Sequence, residues 1–252
     1  MDWGVIRRAA EDILKARWAV ALTGAGISVE SGIPDFRSPG GLWSRFDPME
    51  YAHIDSFRRN PEKVWEMLKE MLQLTSQANP NPAHLALAEL EEMGLLKAVI
   101  TQNVDGLHQR AGSRVVIEYH GNHDWLVCLN CGWRRPARGL RPEEIPPRCE
   151  KCRSIMKPDV VFFGEPIPWE AQLRALEEAR RCDLMLVIGT SAVVYPAADL
   201  PRVAKGSGAI IVEVNKEPTV LTGTLSDYLI QGKAGEILPK IVEEVKRLRD
   251  EG

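Results

Sequence analysis

Short apolar runs that end in glycine or small polar residues recur along this chain, with helical periodicity filling the spaces between them. Ala19 to Leu22 runs into Thr23-Gly24-Ala25-Gly26, Ala98 to Ile100 into Thr101-Gln102-Asn103, and Leu184 to Ile188 into Gly189-Thr190-Ser191. Val115 to Glu118 leads to His120-Gly121, Ala209 to Val214 to Asn215, and Asp227 to Ile230 to Gln231-Gly232. Alternation of β-rich runs with helices predicts an α/β fold built on a Rossmann-like, doubly wound parallel sheet. Ligands bind such sheets at the carboxyl ends of the strands, so one crevice is expected to gather all six tips. Trp3, Ile6, Ala10, Ile13 and Leu14 form one apolar stripe. Ile237, Leu238, Ile241, Val242, Val245 and Leu248 form another, and both helices are expected to cover the sheet.

Two stretches break the alternation. Leu42 to Pro82 is helix-like and rich in Trp and Met, and Asn122 to Lys157 carries paired cysteines and four prolines. The expected division is a discontinuous Rossmann-like domain of residues 1–41, 83–121 and 158–252, a helical insertion of 42–82 and a zinc-binding module of 122–157, the last two forming a smaller lobe. Hydrophobic residues at 44% and charged residues at 27% give a globular composition, and no apolar run approaches the roughly 18 residues of a membrane span. Residues Asp2 to Arg17 are charged throughout and lack the apolar centre of a secretory signal, so the mature chain is expected to begin near Met1 and to be cytoplasmic. A net charge of −3 gives no overall drive toward nucleic acid. Asn122 to Met156 holds seven Arg/Lys against four Asp/Glu, which is expected to be a solvated surface rather than a nucleic-acid patch.

Four of the five cysteines form two pairs, Cys128-x-x-Cys131 and Cys149-x-x-Cys152, separated by 17 residues. Each pair can make a tight turn that points two thiolates at one metal, and two turns complete a tetrahedral structural zinc site with no open position. Redox cysteines or an iron-sulfur site are the other uses of such spacing. Cys182, alone beside an apolar run, reads as a buried small residue. Gly24-Ala25-Gly26 follows a strand, where a backbone without β-carbons can approach a phosphate. The dinucleotide fingerprint expects a third glycine at position 29, which is Val29, so a longer loop is expected in place of an immediate helix. In Thr101 to His108 an amide, a carboxylate and an imidazole follow a strand; Asn103 or Asp105 as a helix cap is the bland alternative. His120 stands at another polar strand end, where a lone histidine is more often structural, but the neighbouring tips look ligand-directed.

Gly24 to Ser28, Gly32-Ile33-Pro34-Asp35-Phe36-Arg37, Thr101 to Asp105, His120-Gly121, the cysteine pairs, Lys157 to Glu165 and Gly189-Thr190-Ser191 stand in the order seen in sirtuins, and the chain resembles that family from about residue 5 to residue 245. The resemblance implies an NAD-dependent protein-lysine deacylase with one structural zinc. Gly24, Ala25, Gly26 and Ser28 with Gly189, Thr190 and Ser191 resemble the diphosphate and ribose grips of NAD; Asn215, Lys233 and Ala234 match positions around the adenosine half. Asp35, Phe36 and Arg37 look like the flexible cofactor loop, with Gln102, Asn103, Val104 and Asp105 around the nicotinamide and its ribose. His120 matches the general base, with Asn103 beside it among the catalytic residues. The implied products are deacylated lysine, nicotinamide and O-acyl-ADP-ribose. The acyl-lysine peptide is expected as an extended strand between Val161, Phe162, Gly164 and Glu165 on one side and Val193, Val194 and Tyr195 on the other.

Sirtuins that prefer acidic acyl chains carry a Tyr and, three residues later, an Arg after a Val-Trp pair; here Val64-Trp65 is followed by Leu68 and Met71. Neither can bind a carboxylate, so acetyl or a longer apolar acyl group is favoured, a conclusion that also holds if both are plain core residues. An NAD-dependent oxidoreductase would share the sheet but leaves the cysteine module unexplained. An NAD- or ADP-ribose-binding zinc protein without turnover leaves His120 unexplained. ADP-ribosyl transfer is a conceivable minor activity of the same site.

Overall fold

The computed structural model describes residues 2–251, so residues 1 and 252 at the ends of the expected large domain lie outside the described residues. In chain order the strands are β1 (Ala19–Thr23), β2 (Leu96–Thr101), β3 (Val116–Glu118), β4 (Gly121–Val127), β5 (Arg134–Pro136), β6 (Lys157–Val160), β7 (Leu184–Ile188), β8 (Ile210–Asn215) and β9 (Tyr228–Gln231). The helices are α1 (Trp3–Lys15), α2 (Pro48–Tyr51), α3 (Ile54–Arg59), α4 (Pro61–Gln77), α5 (Pro82–Glu92), α6 (Leu107–Ala111), α7 (Trp169–Arg181), α8 (Leu200–Gly206) and α9 (Ala234–Glu251). Six strands form one sheet in the order β3-β2-β1-β7-β8-β9, and every neighbouring pair is parallel. The order reverses between β1 and β7, the switch point at which the crevice of a doubly wound sheet opens.

Parallel strands joined by crossover helices are covered on both faces, which is why these runs read as unbroken apolar stretches. All five residues of β7 are buried. Leu184, Leu186 and Ile188 point to one face and pack with Ile6 and Ile13 of α1, Leu87 of α5 and Ile241 of α9. Met185 and Val187 point to the other, against Ala175 and Ala179 of α7 and Ala204 of α8. Asp2 caps α1, its carboxylate accepting from the Gly4 amide at 2.9 Å. Among the described residues no helix is long and apolar enough to cross a membrane.

The two interrupting stretches share a core of their own. Leu42, Phe57, Val64, Trp65 and Leu68 from the first pack with Leu126, Cys128, Cys149 and Met156 from the second, and the Trp65 indole donates to the Met156 carbonyl at 2.8 Å. The second stretch carries the antiparallel sheet β5-β4-β6.

Lys157, the first residue of β6, has a side chain only 3% exposed. Its ammonium donates to the carbonyl of Val160 at 2.6 Å and of Pro158 at 3.2 Å, pairs with Glu165 at 3.1 Å and lies 4.5 Å from the centre of the Phe162 ring. Burial pulls its pKa down, and the Glu165 carboxylate opposes that pull. One buried cation thereby folds residues 157–165 into a fixed turn. Removing the cation leaves Glu165 without its counter-charge, so Lys157→Met is expected to lower the unfolding free energy by about 3 kcal/mol. Adding Glu165→Leu should recover part of that loss, a comparison that denaturant melts of the two variants can make.

Candidate active site

Hydrogen bonds link the tips of all six parallel strands at their carboxyl ends. Nδ1 of His120, just past β3, lies 3.1 Å from the Gln102 carbonyl beyond β2. The Gln102 backbone amide donates to Thr23 of β1 at 3.0 Å, and its side-chain amide donates to the Thr190 hydroxyl past β7 at 3.0 Å. The Asn215 amide at the end of β8 donates to the Thr190 carbonyl at 3.1 Å, and the Asn215 carbonyl accepts from Gly232 past β9 at 2.9 Å. The expected gathering of the tips into one crevice is therefore present.

The glycines at the switch point meet a packing requirement within the sheet. Gly26 N–H donates to the Gly189 carbonyl at 2.8 Å, and a β-carbon on Gly26 would stand 2.7 Å from the Gly189 α-carbon. One on Gly24 would meet the Thr190 β-carbon at 2.7 Å, and one on Gly189 (φ +59°) would meet Ile27 N at 2.4 Å. Backbone packs directly on backbone here, a requirement that needs no phosphate to explain it. The expected long loop is also corrected: Ala25–Ser31 is a 3₁₀-helix that starts at once, and the irregular loop follows Gly32.

Ser28 and Ile27 of that helix are buried, and Ser28 is the hub of a polar cluster. Its hydroxyl donates to Asp105 at 2.7 Å and accepts from the Asn103 amide at 3.2 Å; the same amide donates to the Gly24 carbonyl at 3.1 Å. Asp105 also accepts from Leu107 N–H at 2.9 Å, so Asp105 serves the turn into α6 whereas Asn103 faces the glycine turn. His84 Nδ1 accepts from Asn81 N–H at 3.3 Å, which leaves the proton on Nε2, 3.5 Å from the Ser28 hydroxyl. Burial lowers the His84 pKa to about 4 despite the opposing Asp105, and burial lowers that of His108 to about 3. Both imidazoles are neutral at physiological pH.

Asp35 builds its loop, accepting from the amides of Arg37 at 3.0 Å and Ser38 at 2.8 Å. Phe36 stacks on Trp43 with ring centres 5.0 Å apart, while Arg37 is exposed. The Val104 carbonyl is bonded to His123, Ser191 is exposed, and Ala192 after it has φ +53°, a strained value for a residue with a β-carbon. Lys233 pairs with Glu236 at 3.2 Å, and Ala234 is buried at the start of α9.

His120 is half-buried. A backbone carbonyl can only accept, so the bond to Gln102 requires a proton on Nδ1 and leaves the Nε2 lone pair free. Burial lowers its pKa, and the Gln102 bond raises it less. Gly121 (φ +74°) lets β4 meet β6 beside it, where a β-carbon would come within 2.1 Å of the Asp159 carbonyl. Val161 N–H donates to the His120 carbonyl at 2.8 Å, tying the 157–165 turn to the backbone of His120.

Residues 161–165 divide by side. Phe162 is buried in the small-lobe core against Phe57, whereas Phe163 is 39% exposed and 6.4 Å from Trp43. Alternation along an extended segment predicts opposite faces for the two, and that signal could have singled out Phe163 as the exposed ring. The Glu165 carboxylate is engaged with Lys157 and with Phe162 N–H at 2.9 Å, so its side chain is structural. Val193 and Tyr195 are 43% and 66% exposed, and Val194 is half-buried. Leu68 is buried in the lobe core with Met71 half-buried at its edge, and neither offers a polar atom. Besides Phe163, sequence reasoning missed His84, whose position three residues after the helix-capping Asn81 was its signal.

The four thiols of Cys128, Cys131, Cys149 and Cys152 converge, their sulfurs lying within 4.8 Å of one another and two pairs at 3.5 Å. Tetrahedral zinc with Zn–S near 2.3 Å sets sulfurs about 3.8 Å apart, so the set fits one zinc. The two turns match in detail: Cys128 N–H donates to Trp133 as Cys149 N–H does to Ser154, both at 2.8 Å. Gly132 and Arg153, each following the second cysteine of its pair, both have positive φ. At the crevice the amides of Gln102, Asn103 and Asn215 with the hydroxyls of Ser28 and Thr190 suit a polyhydroxylated ligand such as NAD. Cys182 is buried, its pKa pushed up to about 12 by burial.

A model of the Sir2 family matches residues 24–196. The chain is 55% identical over 251 residues to "NAD-dependent protein deacylase 2" of Archaeoglobus fulgidus, covering 98% of each chain. Among solved structures, a mutant Sir2 homologue in complex with ADP-ribose is 43% identical with a TM-score of 0.93, covering 99% of this chain and 98% of that one. Sir2Af2 bound to a myristoylated histone peptide is 48% identical with a TM-score of 0.83, covering 100% of both.

Metal analysis is expected to find one zinc per chain. Cys128→Ala should lose it and melt at lower temperature, because the cysteines sit inside the small-lobe core. Unchanged zinc content and melting in that variant would contradict the assignment.

Proposed function

The chain belongs to the Sir2 family, and we propose that His120 is the general base of its NAD-dependent deacylation of protein lysines. The activity is that of an NAD-dependent protein deacylase, with deacylated lysine, nicotinamide and O-acyl-ADP-ribose as products. The observation that carries the role of His120 is its bond to the Gln102 carbonyl, which fixes the tautomer with a free Nε2 at the crevice. NAD as co-substrate supplies a ribose carbon that becomes electron-poor as nicotinamide leaves, and the acyl oxygen captures it. Nε2 of His120 then takes a proton from a ribose hydroxyl, freeing that oxygen to attack the former amide carbon; the lysine amine leaves that carbon with a proton, and water opens the remaining cyclic adduct to O-acyl-ADP-ribose.

The Ser28, Asn103 and Asp105 cluster orients the nicotinamide ribose, and Gln102 and Val104 border it. Asp35 holds the loop whose Phe36 shields the reacting face, with Arg37 at its rim. The Gly24 to Ser28 turn with Gly189, Thr190 and Ser191 grips the diphosphate and ribose, and Asn215, Lys233 and Ala234 receive the adenosine half. The acyl-lysine peptide runs as an extended strand between residues 161–165 and 193–195, where Phe163 adds an apolar side to the acyl path. Backbone pairing makes affinity only weakly dependent on peptide sequence. The same reading takes residues 1–41, 83–121 and 158–252 as the NAD-binding domain, with 42–82 and 122–157 as the inserted lobe. It places the protein in the cytoplasm, where thiols stay reduced, and assigns it no nucleic-acid or membrane partner.

Nicotinamide release is expected to require both NAD and an acetyl-lysine peptide. His120→Ala should reduce formation of the deacylated peptide by a factor of roughly 10² or more while NAD still binds. The low-pH limb of kcat/KM should fall below the ordinary histidine value of about 6.5, because a base with a lowered pKa stays neutral further into acid. A limb at or above that value would count against His120.

Acetyl-lysine is expected to be turned over faster than succinyl-lysine by roughly a hundredfold, since an unpaired carboxylate in an apolar pocket beside Leu68 and Met71 costs on the order of several kcal/mol. Equal rates on the two peptides would show that this part of α4 does not meet the acyl group.

A further inference from the structure

Beside the proposed peptide strand lies a cavity of about 390 Å³ whose walls include Val193, Tyr195, Arg202, Val220, Leu221 and Leu225. Two of these, Val193 and Tyr195, belong to the segment assigned to the peptide, so the cavity continues that cleft toward α8. The exposed residues are unusually apolar here: Tyr195 is 66%, Val220 57% and Val193 43% exposed. Arg202 of α8 adds one cation, which is exposed and has no ion-pair or hydrogen-bond partner among the described residues. Lys205, one turn on, is by contrast neutralised by Asp227 at 2.7 Å.

The wall formed by residues 220–225 is held in place. Glu213 of β8 is fully buried and accepts from the hydroxyls of Thr219, of Thr222 at 2.7 Å and of Ser226 at 2.6 Å, clamping the loop at both ends. A buried carboxylate with three hydroxyl donors fixes a shape, so the cavity is a built feature of the loop. Apolar walls with a single unpartnered guanidinium suit a side chain that has a hydrocarbon stem and a carboxylate end.

We propose that this cavity is a side-chain subsite of the acylated substrate and that Arg202 selects an acidic residue, glutamate above all, near the acyl-lysine. The inference rests on the deacylase reading and goes beyond it, because backbone pairing alone gives no preference for a flanking charge. In an extended peptide alternate side chains face opposite ways, so the preference should be confined to particular positions.

The test is steady-state kinetics at saturating NAD on acetyl-lysine peptides carrying Glu, Gln, Leu or Lys at each of the three positions on either side. At one position or more, Glu should lower KM about fivefold relative to Lys with kcat unchanged, the size expected for one charge-assisted contact near the surface. Arg202→Glu should reverse that order. Thr224→Trp, which fills the cavity from an exposed position, should abolish it. Capped acetyl-lysine, which has no flanks, should be turned over alike by all three proteins. A KM indifferent to charge at every position, or a preference that survives Arg202→Glu, would overturn the proposal. Failure of the deacylase reading would look different, as no NAD-dependent turnover of any substrate. Calorimetric titration with the Glu and Lys peptides then decides the subsite on binding alone.

Discussion

Backbone packs on backbone at the switch point of the sheet, and the site is arranged around that contact. Gly24 and Gly26 lie against Gly189 and Thr190 so closely that a β-carbon on any of the three glycines would fall within 2.4 to 2.7 Å of another atom. This brings the ends of β1 and β7 together without side chains between them. The 3₁₀-helix Ala25–Ser31 can therefore start in the crevice and present Ser28 to Asp105 and Asn103. A β-carbon at Gly189 would have to displace the amide of Ile27 and with it the whole hydroxyl-carboxylate-amide cluster. The structure thus gives a reason for these glycines before any ligand is considered.

The small lobe depends on a different kind of constraint. Its core is shared by two stretches far apart in sequence and includes two of the metal-binding cysteines, so metal and packing stabilise the same unit. Lys157 stands where that unit joins the crevice. Its ammonium binds the turn of residues 157–165 from inside, and Val161 carries the constraint to the backbone of His120. Zinc is remote from the reacting atoms in role, yet the lobe it holds continues through β6 into the segment expected to meet the peptide.

How much of this was legible in the sequence follows from how local each feature is. Strands buried on both faces write themselves as apolar runs, and all six parallel strands were readable to within a residue or two at most ends. Paired cysteines write a metal site in the same direct way. What the sequence could not express were contacts between distant segments. The packing of Gly24 and Gly26 on Gly189 was not legible, because that partner lies more than a hundred residues away. The 3₁₀-helix was read as a loop because Val29 replaces the expected glycine. That Phe162 turns into the lobe core while Phe163 faces outward needs the packing of the lobe core to be known. Nothing local reveals that the Glu165 carboxylate is taken by a buried lysine. The family resemblance supplied residue roles that spacing alone left open.

Three histidines near the crevice show burial used for different ends. His84 and His108 are enclosed, and desolvation holds both far below the ordinary imidazole pKa, so they act as fixed neutral donors and acceptors behind Ser28 and Thr23. His120 is only half-buried, and the Gln102 carbonyl partly offsets the desolvation that lowers its pKa. The proposed role of His120 as general base depends on that balance: deeper burial would disfavour its protonated form, and full exposure would leave its tautomer unspecified. The carbonyl belongs to the same residue whose side chain reaches Thr190 across the switch point. Gln102 thus fixes the tautomer of His120 through its carbonyl and joins the β2 tip to Thr190 through its side chain, while burial remains the larger influence on the His120 pKa.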